Sequence, residues 1–538
     1  MRVKELAESA ALSRETEQRL EQQLLQMEHR TYLWLHLAID DIRSIFKNSL
    51  RPTEAEIELI PQSVDEAYEK ILSRVPCGQV DIARKILQII VAARRPLTTV
   101  EMAIALGIAT SPQAQTAAKA RLEPSQIDKK LRRLCGLFVF VNNSKIYLIH
   151  QTAREFLVKK STSNSINYLY SWSLTDTEDQ MAVICLRYLL MEDLEHDDED
   201  PNSIIRSFLD YSAVYWPDHK RKMSLAQDQK ATSQVQRMYE TSGKAFSLWF
   251  PIFWKAIRNI YSSPPSMTAL HLASFNGHER EVAFLLSLSR KDINSTDSTG
   301  TYPIISASQN GYEKVVQLLL EEGAEVNAQG GDYGNALQAA CLEGREKIVQ
   351  VLLEKGANVN AQGGLHGNAL QAASLGGHDK IVQVLLEKGA EINAQGGYYG
   401  TALQAASERG HDKIVQVLLE KGANVNAQGG FFGNALQAAC SEGRDKIVQV
   451  LLEKGANVNA QGGSFGNALE AACSEGRDKI VQLLLEKGAN VNAQGGRYGN
   501  ALQAACSEGR EKIVQLLLEK GAEGREDEDL VPAGSLVE

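Results

Sequence analysis

Across 538 residues the chain holds only 7 cysteines and 13 prolines, and aromatic residues make up 6% of it. The cysteines are scattered, with no framework of paired spacings, so a disulfide-stapled extracellular domain is excluded and a reducing compartment is expected. Long apolar runs are missing. The longest, Tyr32 to Ile39 and Phe246 to Trp254, are too short to span a bilayer, and the second contains Pro251. Met1-Arg2-Val3-Lys4-Glu5 leads into a charged stretch, unlike a secretory signal. A soluble cytoplasmic protein with no membrane span is therefore expected. A phosphate-cradling loop ending in Gly-Lys-Ser/Thr is also absent. The nearest string, Thr241-Ser242-Gly243-Lys244-Ala245, lacks the upstream glycine and the hydroxyl that would meet magnesium. No Ser/His/Asp, Cys/His or metal-ligand spacing stands out, so neither a catalytic residue nor a cofactor is expected, and the chain reads as a non-enzyme.

What is present is a 33-residue unit repeated almost word for word. From Asn335 it reads N-A-L-Q-A-A-C-L-E-G-R-E-K-I-V-Q-V-L-L-E-K-G-A-N-V-N-A-Q-G-G, and it restarts at Asn368, Thr401, Asn434, Asn467 and Asn500. Looser copies at Thr268 and Tyr302 make eight. Such a unit has no core of its own and must stack on its neighbours. Asn335 is a suitable N-cap for a short helix of Ala336, Leu337, Ala339 and Ala340, which Gly344 ends. Ile348, Val349, Leu352 and Leu353 form the apolar stripe of a second helix, closed by Lys355 and Gly356. Asn358 to Gly364 reads as a projecting hairpin-like loop. The unit resembles the ankyrin repeat from Thr268 to about Glu523. It departs from the family's T-P-L-H by reading N-A-L-Q, and Gln338 can still donate and accept. The resemblance implies an α-solenoid that binds a protein ligand.

Against this near-identity the variable positions are conspicuous. After each Gly-Gly stand Asp332-Tyr333, Leu365-His366, Tyr398-Tyr399, Phe431-Phe432, Ser464-Phe465 and Arg497-Tyr498. At helix spacing, about 8–10 Å, they would form an exposed protein-binding ladder. The alternative is that the second, mostly aromatic, residue seals its loop against the next. A further pair of columns, Glu343, Gly376, Arg409, Glu442, Glu475 and Glu508 beside Arg345, His378, His411, Arg444, Arg477 and Arg510, would either line the concave face or form solvated ion pairs. Cys341, Cys440, Cys473 and Cys506 alternate with Ser374 and Ser407 at one position, as a small packed site would. The last repeat keeps Ile513, Val514, Leu517 and Leu518 as apolar as internal repeats, so the acidic tail folds back or the end face associates.

The N-terminal half is expected to be helical with one hairpin. Helices are read over 1–50, Asp65 to Arg74, Ala83 to Ala93, Val100 to Leu106 capped by Thr98/Thr99, Gln126 to Leu134 capped by Ser125, and Thr152 to Val158. Leu137 to Val141 and Lys145 to Ile149 are strands joined at Asn142-Asn143-Ser144. Helices followed by a two-stranded wing suggest a winged-helix-like module. T-Y-L-W-L-H-L at Thr31, S-V-D-E-A-Y-E-K-I-L at Ser63, A-A-R-R-P-L-T at Ala92 and the run from Leu134 to Leu157 resemble the region after the NTPase domain of fungal NACHT-type STAND proteins. Phe208 to Ala213 with Tyr215-Trp216-Pro217 resembles the stretch that follows in that family. The resemblance implies nonself recognition or cell-death signalling, with a separate NTPase or signalling subunit as partner. Its NTPase would end where this chain begins. It also implies an ancestral nucleotide contact for His150, which in this chain is expected to cap or bond internally.

The expected organisation is thus mainly α: a helical segment (1–79), the winged-helix-like module (80–160), a helical linker or cap region (161–266), eight ankyrin repeats (267–523) and an acidic tail (524–538). Between Asp81 and Lys160 stand fourteen Lys/Arg against five Asp/Glu, with Lys129, Lys130, Arg132 and Arg133 on one helix. That leaves a nuclear or DNA-bound adaptor as the second reading, although nucleic acid is not the expected partner. Glu195 to Asp200 reads as a solvated acidic loop. Phe246, Trp249, Phe250, Phe253 and Trp254 read as a packed N-terminal cap of the solenoid rather than a membrane contact.

Overall fold

The computed structural model describes residues 63–158, 172–194, 204–224, 229–258 and 263–523, together with Gln18. The expected helix over 1–50, the acidic loop at 195–200 and the tail at 524–538 lie outside the described residues. The chain divides into two compact units, Met1–Pro264 and Pro265–Glu538.

In the first unit the helices are α1 (Val64–Ser73), α2 (Val80–Ala92), α3 (Thr99–Thr110), α4 (Ala117–Ala120) and α5 (Pro124–Leu134), followed by strands β1 (Val139–Asn142) and β2 (Lys145–Leu148). Then come α6 (Gln151–Val158), α7 (Leu174–Leu189), α8 (Leu209–Arg221), α9 (Gln229–Met238) and α10 (Lys244–Ile257). Ser63 caps α1 by accepting from the Glu66 amide, and Thr98 with Glu101 forms a reciprocal capping box on α3. Ser125 does not cap α5. Pro124 occupies its first turn, where a missing N–H costs nothing, so the helix starts a residue earlier. The hairpin turns on Asn143 and Ser144, with φ of 47° and 59°. Both are left-handed, as a two-residue turn between twisted strands requires. Beyond the two expected strands, Leu97–Thr98 pairs along the outer edge of β2, Leu97 accepting from Ile146 N–H at 2.8 Å. Phe138, Phe156 and Tyr68 pack together beneath this wing. The aromatic face of α10 meets α8, with Trp249 edge-on to Trp216 at 5.1 Å. These rings therefore contribute to a core inside the first unit.

Joining α7, α8 and the end of α2 is a buried knot. Arg94 donates to both Glu178 oxygens at 2.9 Å, His219 Nδ1 lies 2.6 Å from Glu178 Oε2, and Tyr211 Oη lies 3.0 Å from His219 Nε2. Burial alone would raise the Glu178 carboxyl, but its bonds to His219 and Arg94 prevail and hold it below its ordinary value. Burial also lowers His219.

The second unit contains eight helix pairs among the described residues. They are α11 (Ala269–Asn276) with α12 (Glu279–Leu288), α13 (Pro303–Asn310) with α14 (Glu313–Glu321), and α15 (Ala336–Leu342) with α16 (Glu346–Glu354). Next are α17 (Ala369–Gly376) with α18 (Asp379–Glu387), α19 (Ala402–Arg409) with α20 (Asp412–Glu420), and α21 (Ala435–Ser441) with α22 (Asp445–Glu453). The last are α23 (Ala468–Ser474) with α24 (Asp478–Glu486), and α25 (Ala501–Ser507) with α26 (Glu511–Glu519). Between the last two pairs lies the short hairpin of β3 (Gln494–Gly495) and β4 (Gly499–Asn500). Asn335 caps α15 by accepting from the Gln338 amide at 2.9 Å, and the small residues after it are fully buried. Of the second-helix stripe, Ile348, Val349 and Leu352 are buried while Leu353 is half-buried. Cys341, Cys440 and Cys473 are buried beside Ser374 and Ser407, and burial pushes these thiols well above their usual range, as a packed small position requires. In the last pair Ile513 and Leu517 are buried and Leu518 is exposed.

Candidate protein-binding strip

Each repeat grips the next at three levels. Nearest the outer helices, the last Asn of N-V-N, or of its variants E-V-N and E-I-N, bridges two backbone groups of the following repeat. Asn393 Nδ2 donates to Gly422 O at 3.3 Å, and its Oδ1 accepts from Asn424 N–H at 2.7 Å. At mid-height, Arg345, His378, His411, Arg444, Arg477 and Arg510 reach back to a carbonyl of the preceding repeat, at 2.9–3.3 Å. Each lies over that repeat's left-handed glycine. A β-carbon on Gly344, for instance, would strike the His378 ring. This column is therefore a row of staples between repeats.

The third grip lies at the hairpins. Gly330 N–H donates to Gly334 O at 2.7 Å, and Gly334, at φ of 85°, presses against the Gln338 side chain and the Gly363 backbone, where no larger residue fits. Between them the variable pair forms the tip. The first residue of each pair donates its N–H to the carbonyl of the same residue one repeat earlier. These bonds run Leu365 to Asp332 (2.8 Å), Tyr398 to Leu365, Phe431 to Tyr398 and Ser464 to Phe431 (2.9 Å each), and Arg497 to Ser464 (3.2 Å). Held this way, tips sit closer than packed helices. Ring centroids of successive second residues are 6.2 Å apart for Tyr333–His366 and His366–Tyr399, and 6.3 Å for Phe432–Phe465. The expected spacing of about 8–10 Å is thus too wide for this edge of the stack.

The tip-to-tip bonds also split the expected ladder of twelve side chains into two rows. In the outer row Asp332 and Arg497 are exposed, Ser464 is half-buried, and Leu365, Tyr398 and Phe431 are 55%, 47% and 37% exposed. Tyr398 and Phe431 stack at 5.0 Å. In the inner row Tyr333, His366, Tyr399 and Tyr498 are half-buried, while Phe432 and Phe465 are buried, at 7% and 4% exposure. Exposure was expected of both residues in every pair. For Phe432 and Phe465 this is corrected, because a backbone pinned through the first residue turns the second toward the stack. Beneath the tips, Tyr498 donates to Glu508 at 2.7 Å, Tyr333 meets Glu343 at 3.5 Å, and Arg409, half-exposed, is held by the Tyr399 hydroxyl. Arg497 lies over the rings of Phe465 (5.0 Å) and Tyr498 (4.6 Å), so its charge caps one end of the outer row. Asp332 stands at the other.

Elsewhere the candidates are quieter. His150 is exposed, and its Nδ1 accepts from Thr152 N–H at 3.2 Å, capping α6. On α5, Arg132 is engaged by Asp128 at 3.1 Å. None of the described helices is long and apolar enough to cross a membrane.

Comparison with known proteins matches this geometry. The model for ankyrin repeats fits residues 252–330, 329–396, 370–462 and 461–527, about half of the chain, and the chain belongs to the ankyrin-repeat family. The winged-helix domain of GPI inositol-deacylase fits residues 72–167, and a domain of unknown function fits 1–58. The chain is similar to the vegetative incompatibility protein HET-E-1 of Podospora anserina, at 23% identity over 36% of this chain and 15% of that protein. It is also similar to the azaphilone pigments biosynthesis cluster protein L of Monascus ruber, at 29% identity over 50% of this chain and 60% of that one. It thus spans less than two thirds of the length of either relative. Among solved structures, the human ASB11 ankyrin repeat domain matches at 26% identity, covering 40% of this chain and 98% of that one, with a TM-score of 0.36. The chain is an ankyrin-repeat protein with a segment similar to a winged-helix domain, and its repeats are modules of protein–protein interaction.

Proposed function

We propose that this protein is a non-catalytic recognition module that holds an extended segment of a protein ligand along the outer row of hairpin tips. The observation that supports this most is the exposure of Leu365, Tyr398 and Phe431 on a backbone fixed by tip-to-tip hydrogen bonds. Exposed aromatic side chains on a rigid frame supply contact area at little entropic cost. Asp332 and Arg497 give the row opposite charges at its ends, so a ligand segment with a basic end, an apolar middle and an acidic end is complementary. Arg409, half-exposed beside Tyr399, adds an anchor for an acidic side chain. Five steps of the observed tip spacing span roughly 31 Å, the reach of about nine extended residues. The inner row, including Phe432 and Phe465, supports the frame. Similarity to a vegetative incompatibility protein favours a place in a fungal nonself-recognition or cell-death system. In that setting the winged-helix part would couple recognition to a separate NTPase or signalling subunit.

The test is selection of a displayed random nonapeptide library on the intact chain. Enrichment of peptides with the stated polarity is expected, and their affinity should fall at least tenfold in a Leu365→Ala/Tyr398→Ala/Phe431→Ala variant. Equal binding by the variant and the parent would remove the outer row from recognition.

A further inference from the structure

Repeats three to six place a buried glutamine on the first helix: Gln338, Gln371, Gln404 and Gln437. Each side-chain amide donates into the hairpin that follows. Gln338 reaches the carbonyls of Ala361, Gly363 and Gly367 at 3.3, 3.2 and 2.7 Å, and the shortest such bond is 2.7 Å for Gln371 and 3.0 Å for Gln404 and Gln437. In the seventh repeat the same position is Glu470, fully buried on α23. An ionised carboxylate has no proton to donate. Its Oε1 instead accepts the Tyr498 N–H at 3.2 Å, and its Oε2 is buried without a hydrogen-bond partner. The tip-to-tip bond at this junction, Arg497 to Ser464, is also the longest of the five.

We propose that Glu470 is a proton-operated latch on the eighth repeat. Protonated, its carboxylic O–H replaces the glutamine amide as donor to the carbonyls of the 493–500 hairpin. Ionised, it is a buried charge with a single N–H for support, and the hairpin loosens together with α25 and α26. The surroundings offer little to hold the charge. Gln437 on α21 and Gln503 on α25 do not titrate. The Cys440, Cys473 and Cys506 thiols are all raised, Asp478, Lys479 and Glu486 on α24 are exposed to solvent, and Glu508 is taken by Tyr498. Burial raises the Glu470 carboxyl, and against it stand only the Tyr498 N–H and the Arg497 charge at the tip. Burial outweighs both, leaving the carboxyl at about 7. A carboxyl raised on docking favours the docked repeat most below its ordinary value. That advantage is lost as pH climbs toward about 7. The latch concerns how the eighth repeat is held, whatever the outer row binds.

Amide hydrogen exchange on the full chain at about pH 5–8, corrected for the intrinsic rate, reads the latch directly. Repeats three to five serve as the internal reference. Protection of residues 493–519 is expected to fall with rising pH by up to roughly a hundredfold. Glu470→Gln should flatten that dependence, and Gln437→Glu should transplant it to the 461–467 hairpin. Superimposable pH profiles for the parent and Glu470→Gln overturn the proposal. So does a folded Gln437→Glu whose hairpin acquires no pH dependence.

Discussion

In the first unit one buried knot of Arg94, Glu178, His219 and Tyr211 ties three helices. In the solenoid seven asparagines, from Asn294 to Asn492, each tie one repeat to the next with the same two bonds. The first arrangement concentrates stability in a few charged groups, so one lesion leaves several partners buried and uncompensated. The second distributes it, and each clamp matters only to its neighbours. The two also answer pH in opposite directions. Glu178 and His219 are both lowered, so what they contribute is complete above the ordinary histidine value. It is lost as pH falls through the lowered values of the two groups. Glu470 is raised, and its repeat is weakened as pH rises.

The sharpest way to test concentration against distribution is Glu178→Ala. Removing one partner of a buried ion pair leaves Arg94 without its carboxylate, at a cost of about 3–5 kcal/mol. All five tryptophans lie before residue 255, so tryptophan fluorescence during urea unfolding reports this unit alone. The midpoint seen by fluorescence should drop while the repeats keep theirs by hydrogen exchange. A uniform shift in both would show that the units share one cooperative transition.

Within the solenoid the same contrast separates the two rows of tips. Phe465→Ala removes a ring packed between Phe432 and Arg497 and should cost about 3–5 kcal/mol. Tyr398→Ala, taken from the outer row, should stay within about 0.5 kcal/mol, as surface substitutions do. Far-UV circular dichroism in urea distinguishes them, and comparable losses from both would erase the distinction between frame and strip.

How much of this was legible beforehand follows from the range of the interactions. Caps, helix stripes and the wing hairpin are set by residues a few positions apart, so N-A-L-Q-A-A and Asn142-Asn143-Ser144 announce them. The sequence also identifies the variable pair as the hairpin tip. It does not reveal which member faces out, because that depends on an N–H bonding to a carbonyl 33 residues away. The staples are hidden for the same reason: Arg345 is informative only once Gln309 O and Gly311 are known to lie beneath it. The knot joins residues 41 and 84 apart in sequence, with no local motif to mark it. Glu470 was visible as a single L-E-A-A among copies of L-Q-A-A. Its meaning, however, came from the carbonyls that its neighbours' amides reach.

The smallest effect tests distribution most strictly. Asn393→Ala deletes two hydrogen bonds at the junction of the fourth and fifth repeats, one to Gly422 O and one from Asn424 N–H. The groups are exposed, so water replaces the lost partners, and the net cost should be about 1 kcal/mol rather than the full penalty of burying unpaired groups. In a stack coupled only between neighbours, that loss stays local. Exchange should quicken several-fold around residues 422–424 and remain at parental rates two repeats away, around 358–360 and 490–492. A small loss spread evenly from Asn294 to Asn492 would instead mean that the repeats unfold as one body, and the solenoid would then be no less concentrated in its stability than the knot of the first unit.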